Sequence, residues 1–140
     1  MNATIPSPGA CDAAASQRTL AILLVDDHDE FLAATAAFLK PHPRLRVVAQ
    51  ARDGLEAARL ARELAPDLVL MDLSMPRVNG LDATRAIKAR NTATKVVVLS
   101  MQSDRAFRDA AAVAGADAFL YKGDIPAELM PLLNRLFPKS

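Results

Sequence analysis

The chain has little of several features that mark specialised classes of protein. A single cysteine, Cys11, cannot close an intramolecular disulfide, which is typical of proteins kept in a reducing compartment. Tryptophan is absent and aromatic residues make up 4% of the 140 residues, so the core must consist of aliphatic side chains and alanine. No apolar run approaches the roughly 20 residues of a membrane-spanning helix, so we expect no membrane association.

The chain also lacks an excess of charge of either sign. The 17 basic and 16 acidic residues leave a net charge of +1, so direct binding of nucleic acid through a basic surface is not expected. The first residues lack the basic start and the apolar segment of a secretory signal peptide, and we therefore expect a cytoplasmic protein. A composition with 51% hydrophobic and 24% charged residues is typical of one packed globular domain.

The beginning of the chain differs from the rest. Residues 1–18 contain Pro6, Pro8 and Gly9 and show no apolar periodicity, which predicts a disordered N-terminal tail. Apolar periodicity begins at Leu20. We therefore expect residues 19–138 to form a single domain.

Five short apolar runs alternate with segments of helical spacing. The runs are mostly continuous, as in strands that are buried on both faces, and they lie at 21–25, 47–49, 68–71, 96–99 and 118–120. Between them, apolar residues recur three and four positions apart, for example at Phe31, Leu32, Thr35, Phe38 and Leu39. This alternation predicts an α/β fold with a five-stranded parallel sheet and helices on both faces.

Residues typical of helix ends agree with this division. Asp53, followed three residues later by Glu56, resembles a capping box. Asn79 and Ser103 are predicted N-caps, and Gly115 is a predicted left-handed C-cap.

The last predicted helix, at about 125–137, contains Pro131. A proline in a helix interior costs about 3 kcal/mol, whereas one in the first turn costs little. Either this helix begins late, near Glu128, or its first turns are kinked.

Polar side chains follow four of the five predicted strands. In an open parallel sheet, ligands bind beyond the carboxyl ends of the strands. The residues found there are Asp26 and Asp27 after the first strand, Asp72 after the third, Ser100 after the fourth, and Tyr121 and Lys122 at the fifth. Clustered carboxylates repel one another unless a cation compensates them, and a hard divalent cation with oxygen ligands does so. Mg²⁺ fits best, because few protein ligands would leave coordination positions for phosphate oxygens.

Several segments together resemble the receiver domain of the two-component response-regulator family. They are Leu24-Val25-Asp26-Asp27-His28, Asp53-Gly54-Leu55-Glu56-Ala57, the run 65–76 from Ala65 to Pro76, Asn79-Gly80, Val97-Val98-Leu99-Ser100 and the run 115–122 from Gly115 to Lys122. The resemblance covers about residues 20–137. It implies a flavodoxin-like sheet of strand order 2-1-3-4-5.

The resemblance also implies roles for the acidic residues. Asp72 would accept a phosphoryl group from a phosphohistidine. Asp27 would bind Mg²⁺ directly, Asp26 would help through water, and Asp72 itself and the backbone carbonyl of Ser74 would complete the protein ligands. Lys122 would hold phosphoryl oxygens.

The remaining implied roles concern signalling. Ser100 would also hold a phosphoryl oxygen and then move, so that Tyr121 swings into the vacated space and changes the face formed by the fourth helix, fifth strand and fifth helix. Partners would be a sensor histidine kinase or phosphotransfer protein and an unknown downstream protein, and the same face could pair two copies into a homodimer. Gly123 departs from the family pattern, in which proline usually follows the lysine.

Three interpretations of the output remain open. The chain could be a stand-alone receiver that acts by protein contact, or the N-terminal receiver of a helix-turn-helix transcription regulator cut before its DNA-binding domain. It could also be a pseudo-receiver that acts without phosphorylation. An aspartate-nucleophile hydrolase of the haloacid-dehalogenase type would need a second aspartate where Ser74 stands, so we expect a phosphoacceptor rather than a turnover enzyme.

Overall fold

The computed structural model describes residues 19–73, 79–101 and 105–138. Five strands alternate with five helices, as the sequence predicts. In chain order they are β1 (Leu20–Val25), α1 (Asp29–Leu39), β2 (Leu45–Ala51), α2 (Gly54–Leu64), β3 (Leu68–Asp72), α3 (Gly80–Arg90), β4 (Lys95–Ser100), α4 (Arg105–Ala114), β5 (Ala118–Tyr121) and α5 (Ile125–Leu136). A 3₁₀ turn, Lys122–Asp124, joins β5 to α5.

The strands form one parallel sheet in the order β2-β1-β3-β4-β5, which confirms the predicted order. Apolar side chains that alternate along β1 enter different cores: Ile22 packs with residues of α1 and α5, whereas Leu23 packs with residues of α2, α3 and α4. The helices therefore cover both faces. The central strand β3 is buried along its whole length, which explains its continuous apolar run.

The helix starts mostly follow the predicted caps. The Asp53 side chain accepts a hydrogen bond from the Glu56 amide (2.9 Å). The Glu56 carboxylate reaches back and accepts a hydrogen bond from the backbone amide of Arg52 (2.9 Å). Asn79 caps α3 through the amide of Asp82 (2.9 Å), as predicted.

Two further predictions concern helix ends. Gly115 has φ = 100°, so the predicted left-handed conformation at the end of α4 is confirmed. Helix α5 begins at Ile125, so of the two alternatives for this helix the late start near Glu128 is wrong. Pro126 occupies its first turn, and Pro131 lies inside the helix on an exposed position.

Some predictions lie outside the described residues, namely the tail 1–18 with Cys11, the Ser74 carbonyl and the Ser103 cap. Among the helices that the structure describes, none has both the length and the apolar content needed to cross a bilayer.

Candidate functional site

The register of the sheet brings the predicted polar residues to one edge. Val25 pairs with Met71, Asp72 pairs with Leu99, and Ser100 pairs with Tyr121. Residues that follow or end these strands therefore lie side by side, although they are far apart in the sequence. The predicted convergence at the carboxyl edge is thus what the topology produces.

Lys122 joins two of the acidic residues. Its Nζ lies 2.6 Å from Asp26 Oδ2 and 3.0 Å from Asp72 Oδ1. All three side chains are buried, with exposed fractions of 7% for Lys122, 1% for Asp26 and 7% for Asp72. Water screens such contacts weakly, so the ammonium compensates much of the repulsion between the two carboxylates.

Burial and charge shift the pKa values in this group. Burial raises the pKa of Asp72, and the charge of Asp26 adds to the effect, while the contact with Lys122 opposes it. Burial works against the charged form of Lys122, but the hydrogen bonds that it donates to Asp26 and Asp72 raise the pKa of its ammonium above the usual range. Lys122 therefore stays charged, and Asp72 is a more basic oxygen nucleophile than an exposed aspartate.

Asp27 lies nearer to solvent and contacts His28. The Asp27 side chain is 31% exposed, and its Oδ1 lies 2.9 Å from His28 Nδ1. The same ring nitrogen lies 3.0 Å from Asp26 Oδ1, which also accepts a hydrogen bond from the His28 amide at 2.9 Å. The hydrogen bond to Asp26 and the charge of Asp27 raise the pKa of the His28 imidazole.

These groups can hold a hard cation. Ligand atoms of Asp26, Asp27 and His28 lie within 4.8 Å of one another, close enough to share one metal ion. Carboxylate oxygens are the ligands that Mg²⁺ prefers, so the donor set fits that ion. The more exposed Asp27 is the carboxylate that an ion from solvent reaches first.

Ser100 and Tyr121 lie at the ends of adjacent strands, across the ladder from each other. Ser100 is buried and Tyr121 is half-buried. The Tyr121 ring lies against the backbone of Gly123, where an added Cβ would come within 2.5 Å of Tyr121 Cε2. The absence of a side chain at residue 123 therefore permits this ring orientation.

Two contacts at the site were not predicted from the sequence. His28 is 71% exposed, as expected for a surface residue, yet it contacts both carboxylates. The ring of Phe31 lies beneath Lys122, with 4.2 Å between Nζ and the ring centroid. The position of His28 directly after the aspartates could have indicated the first contact; helical spacing alone predicts only that Phe31 faces the core.

The sequence matches the family model described as "Response regulator receiver domain" over residues 22–134. It is similar to the transcriptional regulatory protein DegU of Brevibacillus brevis (36% identical over 107 residues, 76% of this chain and 45% of the relative). It is also similar to the response regulator GacA of Pseudomonas aeruginosa (37% over 116 residues, 83% and 54%). The chain spans about half the length of these relatives.

The fold is similar to that of solved receiver structures. A two-component response regulator of the LuxR family from Aurantimonas sp. SI85-9A1 is 37% identical, with a TM-score of 0.80 and coverage of 85% of both chains. The signal receiver domain of the putative response regulator NarL from Mycobacterium tuberculosis is 25% identical, with a TM-score of 0.81 and coverage of 88% of this chain and 99% of that chain.

Proposed function

The chain belongs to the response-regulator receiver family, and from that premise we propose that it accepts a phosphoryl group on Asp72 from a phosphohistidine. The observation that carries the proposal is the contact of two buried carboxylates, Asp26 and Asp72, with the single ammonium of Lys122. Burying three charged side chains costs stability, and such costly clusters of charged residues are typical of functional sites, here a site for a phosphoryl group.

The proposed reaction exchanges one bond to phosphorus for another. A carboxylate oxygen of Asp72 forms the new P–O bond while the P–N bond to the donor imidazole breaks, and the leaving imidazole takes a proton from solvent. The product is an acyl phosphate. Lys122 lies 3.0 Å from Asp72 and offsets the charge of the incoming oxygens, which is the main requirement of phosphoryl transfer.

The acidic groups would hold the metal ion. Mg²⁺, when bound, neutralises charge on the phosphoryl oxygens and orients them. Asp27 is its expected direct ligand, because its carboxylate is partly exposed, whereas Asp26 is engaged by Lys122 and His28. Asp72 and the carbonyl of Ser74 complete the proposed protein ligands, the latter lying outside the described residues.

Phosphorylation would then be read by Ser100 and Tyr121. The added group brings roughly two negative charges where Asp72 had one. We expect Ser100 to move toward a phosphoryl oxygen and Tyr121 to follow into the vacated space, which changes the face formed by α4, β5 and α5. A histidine kinase or phosphotransfer protein would supply the phosphoryl group, and the changed face would bind a downstream protein or a second copy of the chain.

The test is incubation with acetyl phosphate and Mg²⁺, read by intact mass. We expect one added phosphoryl group on the wild-type chain and none on Asp72→Ala. Asp109→Ala, which removes an exposed aspartate of α4, is the matched control and should be labelled like the wild type. A wild-type chain that gains no mass under these conditions would favour the pseudo-receiver interpretation instead.

A second proposal concerns the output. DegU, one of the relatives above, is named as a transcriptional regulatory protein, and the chain spans about half its length, which favours a receiver that controls a DNA-binding domain over one that acts alone. The encoding locus tests this: an open reading frame that continues into a helix-turn-helix segment supports it, and a stop codon directly after Ser140 contradicts it.

A further inference from the structure

We propose that Phe31 is a positioning residue that holds the ammonium group of Lys122 for phosphoryl transfer, an inference that rests on the function proposed above. The Phe31 ring face lies 4.2 Å from Lys122 Nζ, well within the roughly 6 Å over which a ring attracts a cation. Phe31 is the third residue of α1, so the segment that carries Asp26 and Asp27 also carries the ring.

The surroundings of the ammonium define what the ring contributes. An ammonium has three N–H donors, and Asp26 and Asp72 each accept one at 2.6 and 3.0 Å. The ring of Phe31 covers a further side. Since the Lys122 side chain is only 7% exposed, little water competes there, and a cation–ring attraction is stronger where water is excluded.

The ring differs from the two carboxylates in what happens to it during the reaction. Asp72 becomes an acyl phosphate, so the oxygen that faces Lys122 changes identity and position. The carboxylate of Asp26 lies in the acidic group that we expect to bind Mg²⁺. Phe31 has no such role, and its attraction to the cation is not tied to one hydrogen-bond direction. It can therefore hold the ammonium in place while its two acceptors change.

Phe31 also packs against the core that α1 and α5 share, so its removal alters more than one property. A deletion that slows phosphorylation could act through packing. The decisive variants must weaken the negative face of the ring while they keep its shape. Fluorination of phenylalanine does this, because fluorine atoms withdraw electron density from the ring face at a small change in volume.

The experiment therefore places phenylalanine, 4-fluorophenylalanine or 3,4,5-trifluorophenylalanine at residue 31 and measures the rate of phosphorylation by acetyl phosphate at saturating Mg²⁺. We expect the rate to fall with each added fluorine, to a total loss of roughly three- to tenfold. The pKa of Lys122, measured by NMR of the labelled ammonium in the Mg²⁺-free protein, should fall in the same order, because the ring stabilises the charged form. Phe31→Tyr, which keeps the ring face, should retain both properties.

Phe38→Leu is the matched control. Phe38 lies on the same helix and packs against the same core, but its ring faces His42 at 6.0 Å rather than the site. The Phe38→Leu substitution should leave the rate of phosphorylation and the pKa of Lys122 unchanged. We would reject the proposal if Phe31→Leu is phosphorylated slowly while the fluorinated rings leave the rate of phosphorylation unchanged, since packing alone would then explain the loss.

The two proposals fail in different ways. If the wild type takes up no phosphoryl group, or if Asp72→Ala is still labelled, the proposed function fails, and the pKa of Lys122 across the fluorine series still decides whether the ring holds the ammonium. If the wild type is labelled on Asp72 while rate and pKa ignore fluorination, the role of Phe31 is rejected and the proposed function stands.

Discussion

Lys122 is the residue at which most contacts of the site meet. It contacts one carboxylate from the end of β1, another from the end of β3 and a ring from α1. Its side chain is buried, so each contact acts with little screening by water. Substitutions around it should therefore change both the charge balance of the site and the stability of the fold.

Asp72 should make the stability of the metal-free protein depend on pH. A carboxyl group whose pKa is higher in the folded than in the unfolded chain binds its proton more tightly when folded, so the free energy of unfolding falls as pH rises through the folded pKa. Asp72→Asn removes this effect and leaves Lys122 paired with Asp26. In the presence of EDTA we expect the variant to be more stable than the wild type at neutral pH.

The advantage of Asp72→Asn should shrink as pH falls and vanish toward about 3, roughly one unit below the unfolded pKa, where the unfolded carboxyl is also largely protonated. Thermal unfolding followed by circular dichroism over this range measures the difference. An equal difference at both ends of the range would show that the charge of Asp72 is not its origin.

Gly123 should control the orientation of the Tyr121 ring. A methyl group at residue 123 would meet Tyr121 Cε2 at 2.5 Å, so Gly123→Ala must displace the ring, while backbone strain is not expected because φ is not positive there. Tyr121 is the sole tyrosine and the chain has no tryptophan, so tyrosine fluorescence reports on this ring alone. We expect an altered emission in the unphosphorylated protein with a stability change below about 1 kcal/mol. Asp124→Ala is the neighbouring control, and an unchanged emission from Gly123→Ala would contradict the prediction.

At the scale of the elements, the approach of α3 to β3 fixes the backbone around Asp72. Gly80 begins α3, and its amide donates to the carbonyl of Leu73 at 3.1 Å. A Cβ at residue 80 would overlap the carbonyl oxygen of Asp72 and would lie 2.9 Å from Leu73 Cα. These are backbone atoms, which cannot rotate away as a flexible side chain could. A glycine is therefore required at this crossing of helix and strand.

Gly80→Ala should for this reason cost about 3 kcal/mol or more in the free energy of unfolding. Chemical denaturation measures the cost. Ala86→Gly, on an exposed position of the same helix, is the comparison and should cost only about 1 kcal/mol. If Gly80→Ala were no worse than Ala86→Gly, α3 would not be held as close to β3 as the structure indicates.

At the scale of the whole molecule, the site concentrates negative charge at one edge of the sheet in a chain whose net charge is only +1. Mg²⁺ bound there should stabilise the folded state, because the unfolded chain has no preformed group of carboxylates. At a hundred times its dissociation constant, the ion should add about 2.7 kcal/mol to the free energy of unfolding. A thermal melt with and without Mg²⁺ measures this as a rise in Tm.

Asp27→Asn should abolish most of that rise and should itself raise Tm in EDTA, since one repelling charge is gone. Asp109→Asn on the exposed side of α4 should keep the full response. A rise in Tm that is the same in Asp27→Asn and in the wild type would place the ion elsewhere.

Much of this molecule follows from local sequence patterns. The continuous apolar runs identify the five strands, and the alternation with helical segments implies a parallel sheet, in which all the carboxyl ends lie at one edge. Asp26, Asp72, Ser100 and Lys122 could therefore be placed together from the sequence. Local spacing sufficed because each of these residues ends or follows a strand.

Only the tertiary structure decided which of these groups touch. Lys122 and Asp26 are 96 residues apart, and their contact depends on strand register and on the 3₁₀ turn after β5. The ring of Phe31 beneath the ammonium likewise depends on how α1 packs against the sheet. Periodicity states which face of an element is buried, whereas the distance between two side chains on different elements is set by the packing of the whole domain.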